Sequence, residues 1–130
     1  MLRFFPFGTE QIAENLGVSV YECDDVSKFY EINIKTLNRQ NIKIPYNYNF
    51  LKRLYDTCKK RDSVRMYFAV YENEVIAANF LVYDKNTVYY IMGGMDPDKK
   101  DLGGMDVLQF ESIKYAIESG RLFDFEGSMV

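Results

Sequence analysis

The sequence predicts one α+β domain built around a mixed sheet. Apolar residues recur at helical spacing in two segments ahead of Arg61, and at Val64 the period switches to two for three short runs. A further helical segment then precedes a last alternating run. Read along the chain, the order is β-α-α-β-β-β-α-β, which puts helices against a largely antiparallel sheet. A chain of 130 residues fits a single such domain spanning 1–130.

Each element has its own signals. Thr9 stands ahead of Glu10 to Leu16, with Gly17 behind, as in a short capped helix. Val18 to Cys23 alternates like a half-buried strand. Asp24 or Asp25 suits the cap of a helix whose apolar positions are Val26, Phe29, Tyr30, Asn33/Ile34 and Leu37, and which ends near Gln40. Pro45 interrupts regular structure, and Asn47 or Asn49 opens a second helix through Phe50, Leu51, Leu54 and Tyr55 to about Lys60. Strands are predicted over Val64 to Tyr71, Val75 to Tyr83 and Thr87 to Met92. Short polar separators join them into an antiparallel meander, and Gly93-Gly94 closes the third. An amphipathic helix is predicted over about Met105 to Glu118, ended by Gly120. Leu122 to Glu126 reads as a final strand, which the intervening helix allows to pair in parallel.

Composition excludes several classes. The formal net charge is -3 with both signs interleaved, so no basic field exists for a phosphate backbone, and nucleic acid is not the partner that charge favours. Lys52-Arg53 and Lys59-Lys60-Arg61 form either a basic edge or a solvated helix face. The chain has no histidine, which removes His-based triads, a His general base and His-ligated metals. Cys23 and Cys58 are too few and too isolated for a disulfide framework or a zinc site, so no metal is expected and both read as thiols of a reducing compartment. No apolar run approaches the ~18 residues of a membrane span, and the chain is expected to be cytoplasmic. The Phe-rich opening Met1 to Phe7 reads as the end of an upstream segment or as a partner contact.

Two local patterns suggest a site. Asp98 to Met105 leads into a helix with Gly103 and Gly104, so unhindered N–H groups and the positive helix end favour an anion there, provided Asp98, Asp101 and Asp106 point outward. An ordinary strand-to-helix turn has the same composition. Gly93-Gly94 permits a bulge or a close backbone approach, or simply stops a strand. Asp124 and Glu126 share one face of the last strand. They serve either as a general base raised by desolvation or as solvated carboxylates, while Phe123 and Phe125 pack on a helix. Tyr89 and Tyr90 point to opposite faces.

The element order, with Phe29-Tyr30, Asn38-Arg39-Gln40, the Pro45 loop, Tyr89 to Gly94 and Phe123 to Ser128, resembles the GNAT acyltransferase fold and its branch of Fem-type peptidoglycan bridge transferases. The resemblance covers the chain from about Val18 onward. It implies acetyl-CoA or another acyl-CoA as acyl donor, with Lys100, Gly103, Gly104 and Met105 at its pyrophosphate. Lys100 and Gly103 keep the family spacing, whereas Met105 stands where a second Gly or Ala is usual. It further implies Met92, Gly93 and Gly94 lining the gap between the fourth and fifth strands opposite Asp124 to Glu126. Asp124 and Glu126 become acid-base candidates, and Ser128 a donor near the thioester. Arg39, Tyr46 and Tyr48 fall on the acceptor side, Arg39 either pairing with an acidic substrate group or closing its own helix.

The family pattern continues past Val130 with another helix and strand, so the domain reads as incomplete at its C-terminal end. An uncovered final strand predicts a homodimer or strand-exchanged oligomer, which a strictly monomeric preparation would contradict. Three functions follow. The first is transfer of an acyl group from coenzyme A to a small-molecule or peptide amine. The second is aminoacyl-tRNA-dependent transfer of the Fem type, against which the low basicity counts. The third is a non-catalytic interaction module that keeps the fold.

Overall fold

The computed structural model describes residues 17–43 and 46–125. The helix expected over Thr9 to Leu16, Pro45, and the site candidates Glu126 and Ser128 lie outside the described residues. The elements are β1 (Ser19–Glu22), α1 (Val26–Arg39), α2 (Tyr48–Lys60), β2 (Val64–Tyr71), β3 (Glu74–Tyr83), β4 (Thr87–Met95), a 3-10 helix (Pro97–Leu102), α3 (Gly104–Glu118) and β5 (Leu122–Asp124). They form one five-stranded sheet in the order β1-β2-β3-β4-β5, antiparallel except for the parallel β4–β5 pair. The predicted mixed sheet is therefore present, and the parallel pairing of the last strand is with β4.

Alternation along the strands divides the core in two. Met66, Phe68, Ala78 and Phe80 face α1 and α2, where they pack with Val26, Phe29, Ile32, Leu51 and Tyr55. Tyr67, Ala69, Ala77, Leu81 and Val88 face α3 and meet Val107, Leu108 and Ala116. A side-chain period of two makes one strand serve both layers. The helix starts are set by Asp25, whose carboxylate accepts from Lys28 N–H at 3.1 Å, and by Asn47, whose Oδ1 accepts from Phe50 N–H at 2.9 Å.

Four readings of the sequence need correction. β4 does not stop at Met92 but runs through both glycines to Met95, because the ladder continues with Ala78↔Gly94 and Ala77↔Met95. The Asp/Lys-rich loop is a 3-10 turn, capped by Asp96 accepting from Asp98 N–H at 3.0 Å. α3 is not cleanly amphipathic, since Glu111 and Ser112 are buried while Phe110 and Ile117 are exposed. Ser112 earns its burial by accepting from Asn79 Nδ2 at 2.7 Å, which ties α3 to β3. Asn33 is likewise no apolar position, being a buried amide in α1.

The α3-side core carries a pH dependence. Burial pushes the Tyr67 phenol up to about 12 from the usual 10.0, and raises Tyr83 and Tyr90 as well. Below pH 10 the phenol is protonated folded or unfolded. Between about 10 and 12 the unfolded chain has lost a proton that the folded chain keeps, so stability falls as pH rises through that window. The urea midpoint is expected to drop across it, and Tyr67→Phe to make the drop shallower. A midpoint constant over that range would contradict the assignment.

Candidate functional site

The site is built where β5 leaves β4. The two strands pair only at Thr87↔Leu122, Val88↔Phe123 and Tyr89↔Asp124, while β4 continues to Met95 with no strand on that side among the described residues. The β3 register slips between Phe80 and Leu81. Phe80 faces Met92 and Leu81 faces Tyr90, so Ile91 is the extra residue of a bulge. A bulge re-aims backbone groups and bends the strand. The stretch of β4 past β5 therefore begins at a kink, and it leads toward the start of α3.

Where β5 stops, α1 engages the strand. Asn33, only 3% exposed, donates from Nδ2 to the Gly93 carbonyl at 2.7 Å. Thr36 Oγ1 accepts from Met95 N–H at 2.7 Å and reaches the Met95 carbonyl at 3.2 Å. Gly94 makes this approach possible, since a Cβ there would lie 2.6 Å from the Ile32 carbonyl oxygen and 2.9 Å from Asn33 Cα. Tyr46 closes the group: its hydroxyl donates to Asn33 Oδ1 and lies 3.2 Å from Met92 Sδ. Burial raises the Tyr46 phenol above its ordinary value. Tyr30 packs between Tyr46 and Tyr48, with ring centroids at 6.5 and 5.8 Å. On the α3 side, the Tyr90 hydroxyl sits where a Cβ on Gly93 would go, 2.0 Å from that position.

A second locus follows the 3-10 turn. Gly103 takes φ +74°, a left-handed conformation that glycine adopts without strain, and α3 begins directly behind it with a cap residue that has no side chain to bond the first N–H groups. Gly104 is buried because a Cβ would press on Ile76 Cδ1 at 3.1 Å and Ala77 Cβ at 3.3 Å, so this glycine serves the contact of α3 with β3. Lys100, Asp98, Asp101 and Asp106 are all exposed. Met105 packs partly against the α3-side core.

The candidates thus fall into groups. Met92, Gly93, Gly94 and Tyr46 come together, with Tyr48 joined through Tyr30. Lys100, Gly103, Gly104 and Met105 form the helix-start locus, at the end of the sheet toward which the part of β4 past β5 points. Asp124 is exposed and faces Tyr89, not the glycines, because the parallel register ends there. Arg39 is exposed in the last turn of α1, about 9 Å of helix axis past Asn33. Asn33, Thr36 and Tyr90 were not among the candidates. An amide on the apolar stripe of a helix was the signal available for Asn33. Among the described residues no group of three or more His, Cys, Asp or Glu could hold a metal, and no helix is long and apolar enough to cross a membrane.

Comparison with known proteins adds the following. Residues 10–128 match the family model of the acetyltransferase (GNAT) domain. No curated protein gives a significant sequence match. Among solved structures, FemX superposes with a TM-score of 0.83 at 13% identity over 92% of this chain, which spans about half, 47%, of the FemX chain. A predicted acetyltransferase of Clostridium acetobutylicum, solved with acetyl-CoA, gives 0.69 at 13% identity, covering 85% of this chain and 82% of its own. An aminoglycoside acetyltransferase from an uncultured soil metagenomic sample, in complex with sisomicin, gives 0.58 at 14% identity, covering 88% and 80%. At such identities these likenesses show a shared fold.

Proposed function

Since the chain belongs to the acetyltransferase (GNAT) domain family, we propose that it transfers an acyl group from coenzyme A to an amine by direct attack. The observation that carries this reading is the short β4–β5 pairing, which leaves a bulged length of β4 with no strand on that side among the described residues, running toward the start of α3 behind Gly103. An acyl-CoA laid along that path places its pantetheine beside Met92 to Gly94 and its pyrophosphate at the N–H groups of Gly104 and Met105, with Lys100 alongside. Gly103 supports this fit, because it turns the chain into α3 without a side chain of its own to cap the helix start. Asp98, Asp101 and Asp106 are exposed, so their carboxylates stay solvated and their repulsion of a pyrophosphate is screened by water and salt.

In the proposed reaction the amine nitrogen attacks the thioester carbonyl carbon. The N–C bond forms and the C–S bond breaks, the thiolate of coenzyme A takes up a proton, and the nitrogen loses its surplus proton to a carboxylate or to water. The protein's share is positioning, and polarisation of the carbonyl by backbone N–H at the bulge. Asp124 and Glu126 remain the proposed carboxylates and Ser128 a donor near the sulfur, with Arg39, Tyr46 and Tyr48 on the acceptor side.

A ligand held only by the folded chain stabilises it by RT ln(1 + [L]/Kd). Excess acetyl-CoA is expected to raise the melting temperature in a concentration-dependent way, and Lys100→Glu to weaken binding about tenfold by placing a negative charge beside the pyrophosphate. No shift at millimolar acetyl-CoA would overturn the reading and favour the non-catalytic module. The Fem-type, tRNA-dependent alternative finds little support in charge, since the formal net charge is -3 and Lys52 of α2 pairs with Asp56 at 3.0 Å.

A further inference from the structure

We propose that Tyr46 receives the N–H of the acceptor amine on its phenol oxygen, with Asn33 as the positioning residue that fixes where the phenol proton points. The inference rests on the acyltransferase reading above and assigns the amine's place within it.

The direction of the proton follows from a chain of groups that have only one choice each. The Gly93 carbonyl accepts and cannot donate, so the end of Asn33 that lies 2.7 Å from it is the NH2 end. The other end of the amide is then the carbonyl, which also only accepts. Tyr46, bonded to that oxygen, must be the donor. The Met92 thioether at 3.2 Å offers no proton either. A phenol has one proton, and here it is committed to Asn33. What remains on the Tyr46 oxygen is lone-pair density, so a donor that reaches the hydroxyl of this half-buried residue meets an acceptor. An amine N–H satisfies it, whereas a thioester carbonyl or a phosphate does not.

Position agrees with polarity. Through Asn33, Tyr46 is fixed to Gly93, two residues past the bulged Ile91, on the stretch of β4 proposed to hold the thioester. A nitrogen held there lies next to the stretch of β4 proposed for the thioester. The same committed proton leaves Tyr46 unsuited to protonating the departing thiolate. The rings of Tyr30 and Phe50 lie 6.5 and 6.1 Å from that of Tyr46, so the surroundings suit an amine carried on an apolar body.

The test uses benzylamine as the probe and needs no turnover. With tyrosine labelled at the ring carbon bonded to oxygen, benzylamine is titrated into the full chain without acetyl-CoA. The Tyr46 resonance is expected to move saturably. Tyr46→Phe, which keeps the ring, and Asn33→Leu, which frees the phenol proton, should each weaken benzylamine about tenfold, the scale of one hydrogen bond. A purely structural Asn33 would alter melting temperature without altering this affinity in the folded variant. A Tyr46 resonance indifferent to benzylamine, or a Tyr46→Phe chain that binds it as well as the parent, overturns the proposal. Because acetyl-CoA is absent, failure of the donor reading and failure of this one are read separately.

Discussion

Gly94→Ala is expected to lower folding stability by about 3 kcal/mol, at the upper end of what overpacking a core costs. The added Cβ would stand 2.6 Å from the Ile32 carbonyl oxygen, 2.8 Å from its carbon and 2.9 Å from Asn33 Cα, all backbone atoms of α1. A side chain can rotate away, but a helix must move as a body. Shifting α1 from β4 also stretches the Asn33 bond to Gly93 and the Thr36 bonds to Met95, each worth ~1 kcal/mol. Urea unfolding should show a lower midpoint with an unchanged slope, and acetyl-CoA binding should weaken with it. Gly104→Ala provides the contrast. Its Cβ meets only side-chain atoms of Ile76 and Ala77, at 3.1 and 3.3 Å, and a better helix former offsets the crowding. A Gly94→Ala variant no less stable than Gly104→Ala would remove close packing of α1 as the reason for this glycine.

The second large effect is expected at Phe80. Phe80→Ala should cost about 3 to 5 kcal/mol, as for other fully buried aromatic residues. Its ring, wholly inaccessible, lies 5.5 Å from the ring of Phe29 on α1 and 6.2 Å from that of Tyr55 on α2, so one side chain holds both helices to the sheet. Phe80 also faces Met92 across the ladder at the edge of the bulge. The loss is therefore expected to reach the acceptor side, with Tyr46 resonances broadened in the variant. A cost below about 1 kcal/mol, measured in urea, would mean that α1 and α2 are held chiefly by other contacts.

The fold was largely legible in the sequence because its signals are local. Asp25 and Asn47 cap their helices where polar residues precede an apolar period, and the switch to alternation at Val64 coincides with the start of β2. The site was legible only where backbone freedom marks it. Gly93-Gly94 signalled a close approach, but not that α1 was the approaching element, since that contact spans about sixty positions of sequence. The same distance hid Asn33, whose meaning depends on partners at Gly93 and Tyr46, and it hid Thr36. The resemblance implies Asp124 to Glu126 opposite the glycines, whereas the parallel register pairs Asp124 with Tyr89, and alternation gives a face but no register. Burial of Ser112 escaped for the reverse reason, since a polar residue on a helix reads as its solvent face until Asn79 is known to lie beneath.

The most direct test of the central claim is a titration of the chain with acetyl-CoA, followed through backbone amide resonances. If β4 holds the pantetheine and the start of α3 holds the pyrophosphate, the amides of Met92 and Gly93 and those of Gly103 to Met105 should move together, with one dissociation constant. If neither group moves at millimolar acetyl-CoA, or if the perturbed amides lie elsewhere on the surface, the chain keeps the fold of an acyltransferase without its donor site, and the proposed function is wrong.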